Sequence, residues 1–151
     1  MVTLLLAATV LTQSGGAAAP VRLACESLFR PGPGGRQSNV RAVPFEIRLV
    51  PEERGFSSVL IDGPPYLSSY RQTADRALLP RARQWRGRMQ GRAVRLRREG
   101  IDMVLQPERG SADAYSGFWT SVEMVEHRRV ETSGLVRCRI VAGTLSESAS
   151  S

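Results

Sequence analysis

The chain has 151 residues, 42% hydrophobic, 23% charged and 6% aromatic, enough for one small domain and too few for a second sizeable core. All 21 basic residues are Arg, against 14 acids, so the net charge is +7 and chemistry that requires Lys (a Schiff base, a Walker-type phosphate contact) is excluded. One His and two Cys remove nearly every zinc or thiol mechanism, and neither a cofactor nor a metal is expected.

The chain opens on an apolar run over residues 2–12, followed by the small and polar stretch Gln13-Ser14-Gly15-Gly16-Ala17-Ala18-Ala19. A membrane-spanning helix needs about 20 apolar residues, so this run is too short to span. It suits the hydrophobic region of a secretory signal, although no Lys or Arg follows Met1. Pro20 disfavours cleavage directly after Ala19, which leaves a cut after Ala17 or Ala18. The expected organisation is a signal over 1–18, one β domain over 19–141 and a disordered small-residue tail over 142–151, with no transmembrane segment after signal removal. Leu23-Ala24-Cys25 has the outline of a lipoprotein acylation box, but Arg22 stands where an aliphatic residue is needed. Export to a periplasm or the extracellular space makes a Cys25–Cys138 disulfide the expectation. Such a bridge closes a loop of roughly 100 residues, worth about 4–5 kcal/mol in the chain-entropy model.

Short alternating segments follow in order, the signature of half-buried strands. Val21, Leu23 and Cys25 share one face. Arg30-Pro31-Gly32-Pro33-Gly34-Gly35-Arg36 is a flexible loop. Phe45, Ile47 and Leu49 share a face opposite Glu46 and Arg48, and a turn at Pro51–Gly55 leads into Phe56–Ile61. Ser69–Leu79 reads as one short helix, with Tyr70, Ala74, Ala77 and Leu78 on a single face and Pro80 as its stop. Val94 and Leu96 pair with Ile101, Met103 and Leu105 across the compact turn Arg98-Glu99-Gly100. Phe118, Thr120, Val122 and Met124 alternate with Ser121 and Glu123. Val130, Thr132, Val136, Cys138 and Ile140 form the last strand, with Arg137 and Arg139 outward, and a hairpin around His127 joins the two. The expected fold is all-β: a small antiparallel β-barrel or sandwich of seven to eight strands with room for one short helix. In either architecture the first and last strands are commonly neighbours, where a Cys25–Cys138 bridge fits.

Charge is concentrated in one stretch. Residues 71–98 hold ten Arg against Asp75 alone, a net +9, and the rest of the chain is −2. Arg86, Arg88 and Arg92 alternate with Trp85, Gly87, Met89, Gly91 and Ala93. After Ala93 the parity flips, placing Arg95 and Arg97 opposite Val94 and Leu96. Such a slip requires a β-bulge near Ala93 or a turn at Gln90-Gly91. Either arrangement lines several Arg on one strand face, a stripe that attracts polyanions. The candidate contact residues are Arg81, Arg83, Arg86, Arg88, Arg92, Arg95 and Arg97, with Trp85 and Trp119 as ligand-contacting aromatics. The plainer readings are a solvated strand face and an Arg-only codon bias.

Catalytic patterns are missing. His127 lies in Glu126-His127-Arg128-Arg129 as a hairpin-end surface residue, Gly55–Val59 is not a nucleophile elbow, and Gly32–Gly35 lacks the spacing of a dinucleotide loop. Asp102, Glu108, Asp113 and Glu123 are the carboxylates that a small hydrolase would use. Val43-Pro44-Phe45 followed by Val59-Leu60-Ile61-Asp62-Gly63 loosely resembles the early strands of periplasmic lysozyme inhibitors. The Ser-rich loop and Lys-Gly pair of such inhibitors are missing here, so no site residue carries over. The leading expectation is an exported, non-catalytic binding protein of the cell envelope. Its Arg face would contact an anionic polysaccharide, a lipid head group or an acidic protein, export making nucleic acid an improbable partner. A proteinaceous inhibitor of a secreted hydrolase, working through loops, is the alternative. N-terminal sequencing of secreted or periplasmic material is expected to start between residues 18 and 20; an intact Met1 on abundant cytosolic protein would defeat export.

Overall fold

Period-two alternation organises the chain into ten strands among the residues that the computed structural model describes, 19–29, 42–81 and 84–145. The expected signal, the Arg30–Arg36 loop, Arg83 and the end of the tail lie outside those residues. The strands are β1 (Val21–Phe29), β2 (Ala42–Glu52), β3 (Gly55–Asp62), β4 (Tyr70–Gln72) and β5 (Leu78–Pro80), then β6 (Arg86–Gln90), β7 (Ala93–Arg98), β8 (Ile101–Pro107), β9 (Ala114–Val125) and β10 (Arg128–Ala142). Eight of them form one antiparallel sheet in the order β3-β2-β1-β10-β9-β8-β7-β6. The sheet curls until β3 approaches β6, giving a nearly closed barrel rather than a sandwich. At that seam a Cβ on Gly87 would lie 2.7 Å from both Leu96 Cδ2 and Phe56 Cδ2. Gly87 is therefore the position at which side chains of β3 and β7 close over β6.

The first and last strands are neighbours, as expected. Cys25 and Cys138 sit directly opposite one another in the β1–β10 ladder, their Cα atoms 4.0 Å apart, and are joined by a disulfide. Inward positions of both strands are buried: Val21, Leu23, Cys25 and Ser27 on β1, Gly134, Val136 and Cys138 on β10. Phe45, Ile47 and Leu49 of β2 and Val94, Leu96, Met103 and Leu105 of β7 and β8 complete the same core.

Two expectations are corrected. The short helix over Ser69–Leu79 does not form; β4 and β5 pair as a small hairpin, Tyr70 opposite Pro80 and Gln72 opposite Leu78. Thr73 diverts the chain, its hydroxyl accepting the Ala77 N–H (3.1 Å) and donating to the Ala77 carbonyl (3.3 Å). Arg76 then takes a left-handed conformation (φ +61°) that no helix accommodates. The supposed apolar face has nothing to pack on, and Leu78 is exposed.

The second correction concerns β9. Its face carrying Phe118, Thr120, Val122 and Met124 is the outer one, with Phe118 and Met124 exposed. Tyr115, Trp119 and Ser121 point inward. Trp119 decides the phase: its indole N–H donates to Ser27 Oγ (2.9 Å), and its ring packs against Tyr66 with centroids 5.2 Å apart. Directly opposite lies Gly134, where a Cβ would come within 2.5 Å of Trp119 Nε1. Burying a ring of this size outweighs the period-two preference of the smaller apolar residues beside it. Gly134→Ala is expected to cost about 1–3 kcal/mol through overpacking. Chemical denaturation would measure it, and an unchanged midpoint would show that the ring does not fill that space.

Candidate functional site

The basic stripe is built on a hairpin. A two-residue turn joins Gln90 to Ala93 through Gly91 and Arg92, with Gly91 at φ +59°. The apparent parity slip is thus a chain reversal, one of the two readings anticipated, and Arg92 sits exposed at the turn. Reversal sets Arg86 opposite Arg97 and Arg88 opposite Arg95, all four on the outer face. They line a depression of about 740 Å³ together with Gly87, Arg98 and Glu99. Like charges directly opposite on paired strands are destabilising, and one acid relieves part of that repulsion. Asp102, opposite Arg97 on β8, receives a bidentate pair of bonds from Arg95 (the Nε bond is 3.1 Å) and lies 3.6 Å from Arg97 Nε. Arg86 and Arg88 are exposed on this face, and the charge of Arg88 also reaches Asp102.

Other members of the basic segment hold the fold. Arg81 donates to the carbonyls of Ser68 (3.0 Å) and Pro65 (2.7 Å). Arg98 donates to Ser68 (2.6 Å) and Tyr66 (2.7 Å), its guanidinium 5.1 Å from the centre of the Trp85 ring. Trp85 in turn donates its indole N–H to the Leu67 carbonyl (2.8 Å). These three side chains, through five hydrogen bonds, tie the 65–68 loop across one end of the barrel. Burial, then the nearby Arg81 charge, lowers the Arg98 pKa from its ordinary value, though a guanidinium stays protonated at any physiological pH.

The sequence candidates therefore separate. Arg86, Arg88, Arg95 and Arg97 come together; Arg92 lies at the adjoining turn; Arg81 is held by backbone carbonyls; Arg83 lies outside the described residues. Trp85 and Trp119 are buried in the core and present no ring to a surface ligand. Arg98 and Glu99 border the depression without having been singled out, although Arg98 follows Val94 and Leu96 in the inward phase of β7, which marked it for internal partners.

The remaining chemistry is scattered. Asp102 and Glu108 stand six residues apart on or beside the extended β8, about 20 Å. Asp113 accepts from Ser111 Oγ (2.8 Å) near the opposite end of β8 from Asp102, and Glu123 lies past the end of β8. His127 occupies the β9–β10 turn beside Glu126, both with positive φ, as a two-residue hairpin of type I′ demands. Among the described residues no cluster of His, Cys, Asp and Glu has the arrangement of a metal site. No family model, curated protein or solved structure matches the chain.

The hydrogen bonds from Arg95, reinforced by the charges of Arg95, Arg97 and Arg88, hold the Asp102 carboxyl below the usual carboxylate range against the opposing effect of burial. A depressed folded pKa means the pair contributes stability above the unfolded value of about 4 and loses it as pH falls through the folded pKa. Arg95→Gln is expected to raise the Asp102 titration midpoint, read by NMR of the carboxyl carbon. A midpoint that stays put would show that the pair does not form in solution.

Proposed function

We propose that the protein is an exported, non-catalytic binding module that captures clustered anionic groups on the β6–β7 face. The observation that carries this reading is the convergence of Arg86, Arg88, Arg95 and Arg97 on one depression, offset by Asp102 and by Glu99 at its rim. Guanidinium forks suit phosphate, sulfate and carboxylate groups alike, and bidentate contacts to them are among the strong charge-assisted hydrogen bonds. Strand geometry sets the pitch of the site. Successive outward residues are roughly 6.5–7 Å apart along a strand and opposed ones about 5 Å apart across the ladder, so the face matches an array of charges better than a single ion. The apolar run at the start of the chain and the Cys25–Cys138 bridge both support an oxidising, exported setting.

The inhibitor reading keeps one observation of its own. The β9–β10 ribbon runs past the last paired residues of β8 and β1, and its tip at Glu126-His127 is exposed, a shape suited to entering a cleft.

Binding of the mature protein to dextran sulfate separates these readings. Affinity is expected to fall steeply with salt, because exposed charges are screened beyond about 8–10 Å near physiological ionic strength. Arg86→Glu with Arg88→Glu should weaken binding at least tenfold while leaving the melting temperature unchanged or somewhat higher, since each Glu would stand opposite an Arg where two Arg now face each other. Full affinity in the folded double variant would leave the stripe a solvated face and favour the inhibitor.

A further inference from the structure

We infer that the anionic partner of this surface is a lipid bilayer, which the outer wall of the barrel meets through Phe118 and Leu135 together with the Arg residues around them; this rests on the reading of the Arg face given above. Phe118 and Leu135 are opposed on β9 and β10 and are 51% and 56% exposed. One register row carries Arg95 on β7, Val104 on β8, Phe118 on β9 and Leu135 on β10. Strands are about 4.8 Å apart, so Phe118 stands roughly 10 Å from the Arg95 backbone, and the intervening Val104 extends the apolar surface. On the other side the same two residues border a shallow depression with Arg109 and Arg137, Glu108 being the one acid in its lining. The wall thus has an apolar crest with Arg95, paired to Asp102, on one side and Arg109 and Arg137 at its other border.

That arrangement selects among anionic partners. A soluble polyanion would engage the guanidinium groups and gain nothing from an exposed Phe and Leu between them. The depression beside Phe118 and Leu135 is lined by Gln106, Glu108, Arg109 and Arg137 as well as by apolar side chains, a mixed surface rather than an apolar groove for a peptide segment. A bilayer presents phosphates in a plane with acyl chains just beneath, so the crest enters the interface while Arg side chains extend from their apolar stems to the head groups. Each basic residue near an anionic leaflet adds to the attraction, which decays within a Debye length of the surface. The face is one of contact and not of crossing: among the described residues no helix is long and apolar enough to span, and the outward positions of β6 and β7 carry Arg where a spanning wall would carry apolar side chains.

Co-sedimentation with vesicles tests the inference. The mature protein is expected to bind phosphatidylcholine vesicles containing phosphatidylglycerol and to bind pure phosphatidylcholine far more weakly. Phe118→Ser with Leu135→Ser should lower binding to the anionic vesicles about tenfold or more, through loss of buried apolar area, and leave dextran sulfate binding as in the parent. Should the double variant fail to fold, Phe118→Thr retains a strand-forming residue and should give the same direction with a smaller loss. Unchanged vesicle binding in a folded variant overturns the inference. So does a parent protein that binds dextran sulfate but no vesicle, an outcome that leaves the Arg-face reading standing. Loss of both ligands in the parent protein would remove the two together.

Discussion

The β1–β10 ladder is the constraint on which the rest of the barrel depends. β3, β2 and β1 form one three-stranded unit at the start of the described chain, and β10 back to β6 forms a five-stranded unit toward its end. Among the described residues of the sheet only β1 and β10 join the two through backbone hydrogen bonds, and the Cys25–Cys138 bridge pins their register at a directly opposed pair. The residues brought together are 113 apart in sequence, so the pairing carries a large loop-closure cost that local hairpins do not. The covalent bridge offsets that cost by restricting the unfolded chain. Ser27 and Trp119 act on the same junction from within, joining β1 to β9 across the interior through one hydrogen bond between buried groups. A buried indole N–H left without that acceptor would carry its full desolvation penalty, about 1–3 kcal/mol.

The second joint, between β3 and β6, is of a different kind. No ladder crosses it; Phe56 and Val59 pack over Gly87, and the loop after β3 returns across the barrel end to meet Arg81, Arg98 and Trp85. Arg98 is stabilised in its half-buried position because two carbonyls and an aromatic face replace the water it gives up. The density of Arg around this joint therefore has two sources. Inward or loop-facing guanidinium groups close the seam, and outward ones remain on the wall.

The disulfide followed from two cysteines on strands expected to be neighbours. The β7–β8 and β9–β10 hairpins and the core faces of β1, β2, β7 and β8 were legible in the sequence because each rests on alternation, helped at β7–β8 by the turn glycine Gly100. The phase of β9 was not. Five apolar residues at Phe118, Trp119, Val122, Met124 and Val125 satisfy either face, and the choice comes from a ring that needs space. The sequence held two hints of that space: Ser27 continues the buried phase of Val21, Leu23 and Cys25, and Gly134 stands in the buried phase of Val136 and Cys138. A small or polar residue at an inward position implies something large or hydrogen-bonding opposite. Ser69–Leu79 failed for a related reason. Its helical spacing was real, but helix stability comes mainly from tertiary packing of the apolar face, and here no core surface faces it.

The same rule explains why the candidate site divides as it does. Position in the pleat, more than charge density, determines what each Arg can do. Arg98, in phase with Val94 and Leu96, is committed to carbonyls of the neighbouring loop; Arg95 and Arg97, out of phase, face solvent and share Asp102. Across the turn Arg86 and Arg88 have no acid opposite them, since the residues facing them are Arg97 and Arg95. Repulsion between opposed guanidinium groups disfavours this pairing unless an external anion intervenes, so the hairpin holds an unfavourable electrostatic term that a bound anion would relieve. A face built only for solubility would gain more from alternating signs, and the acids needed for that are present elsewhere, at Glu46 between Arg22 and Arg48. On β2 the Glu46 carboxyl, accepting from Arg22 and then Arg48, has its pKa lowered to about 2. There one acid serves the opposed Arg22 and Arg48, as Asp102 serves Arg95 and Arg97; what sets the β6–β7 face apart is the further pair Arg86 and Arg88, whose ladder partners are themselves Arg.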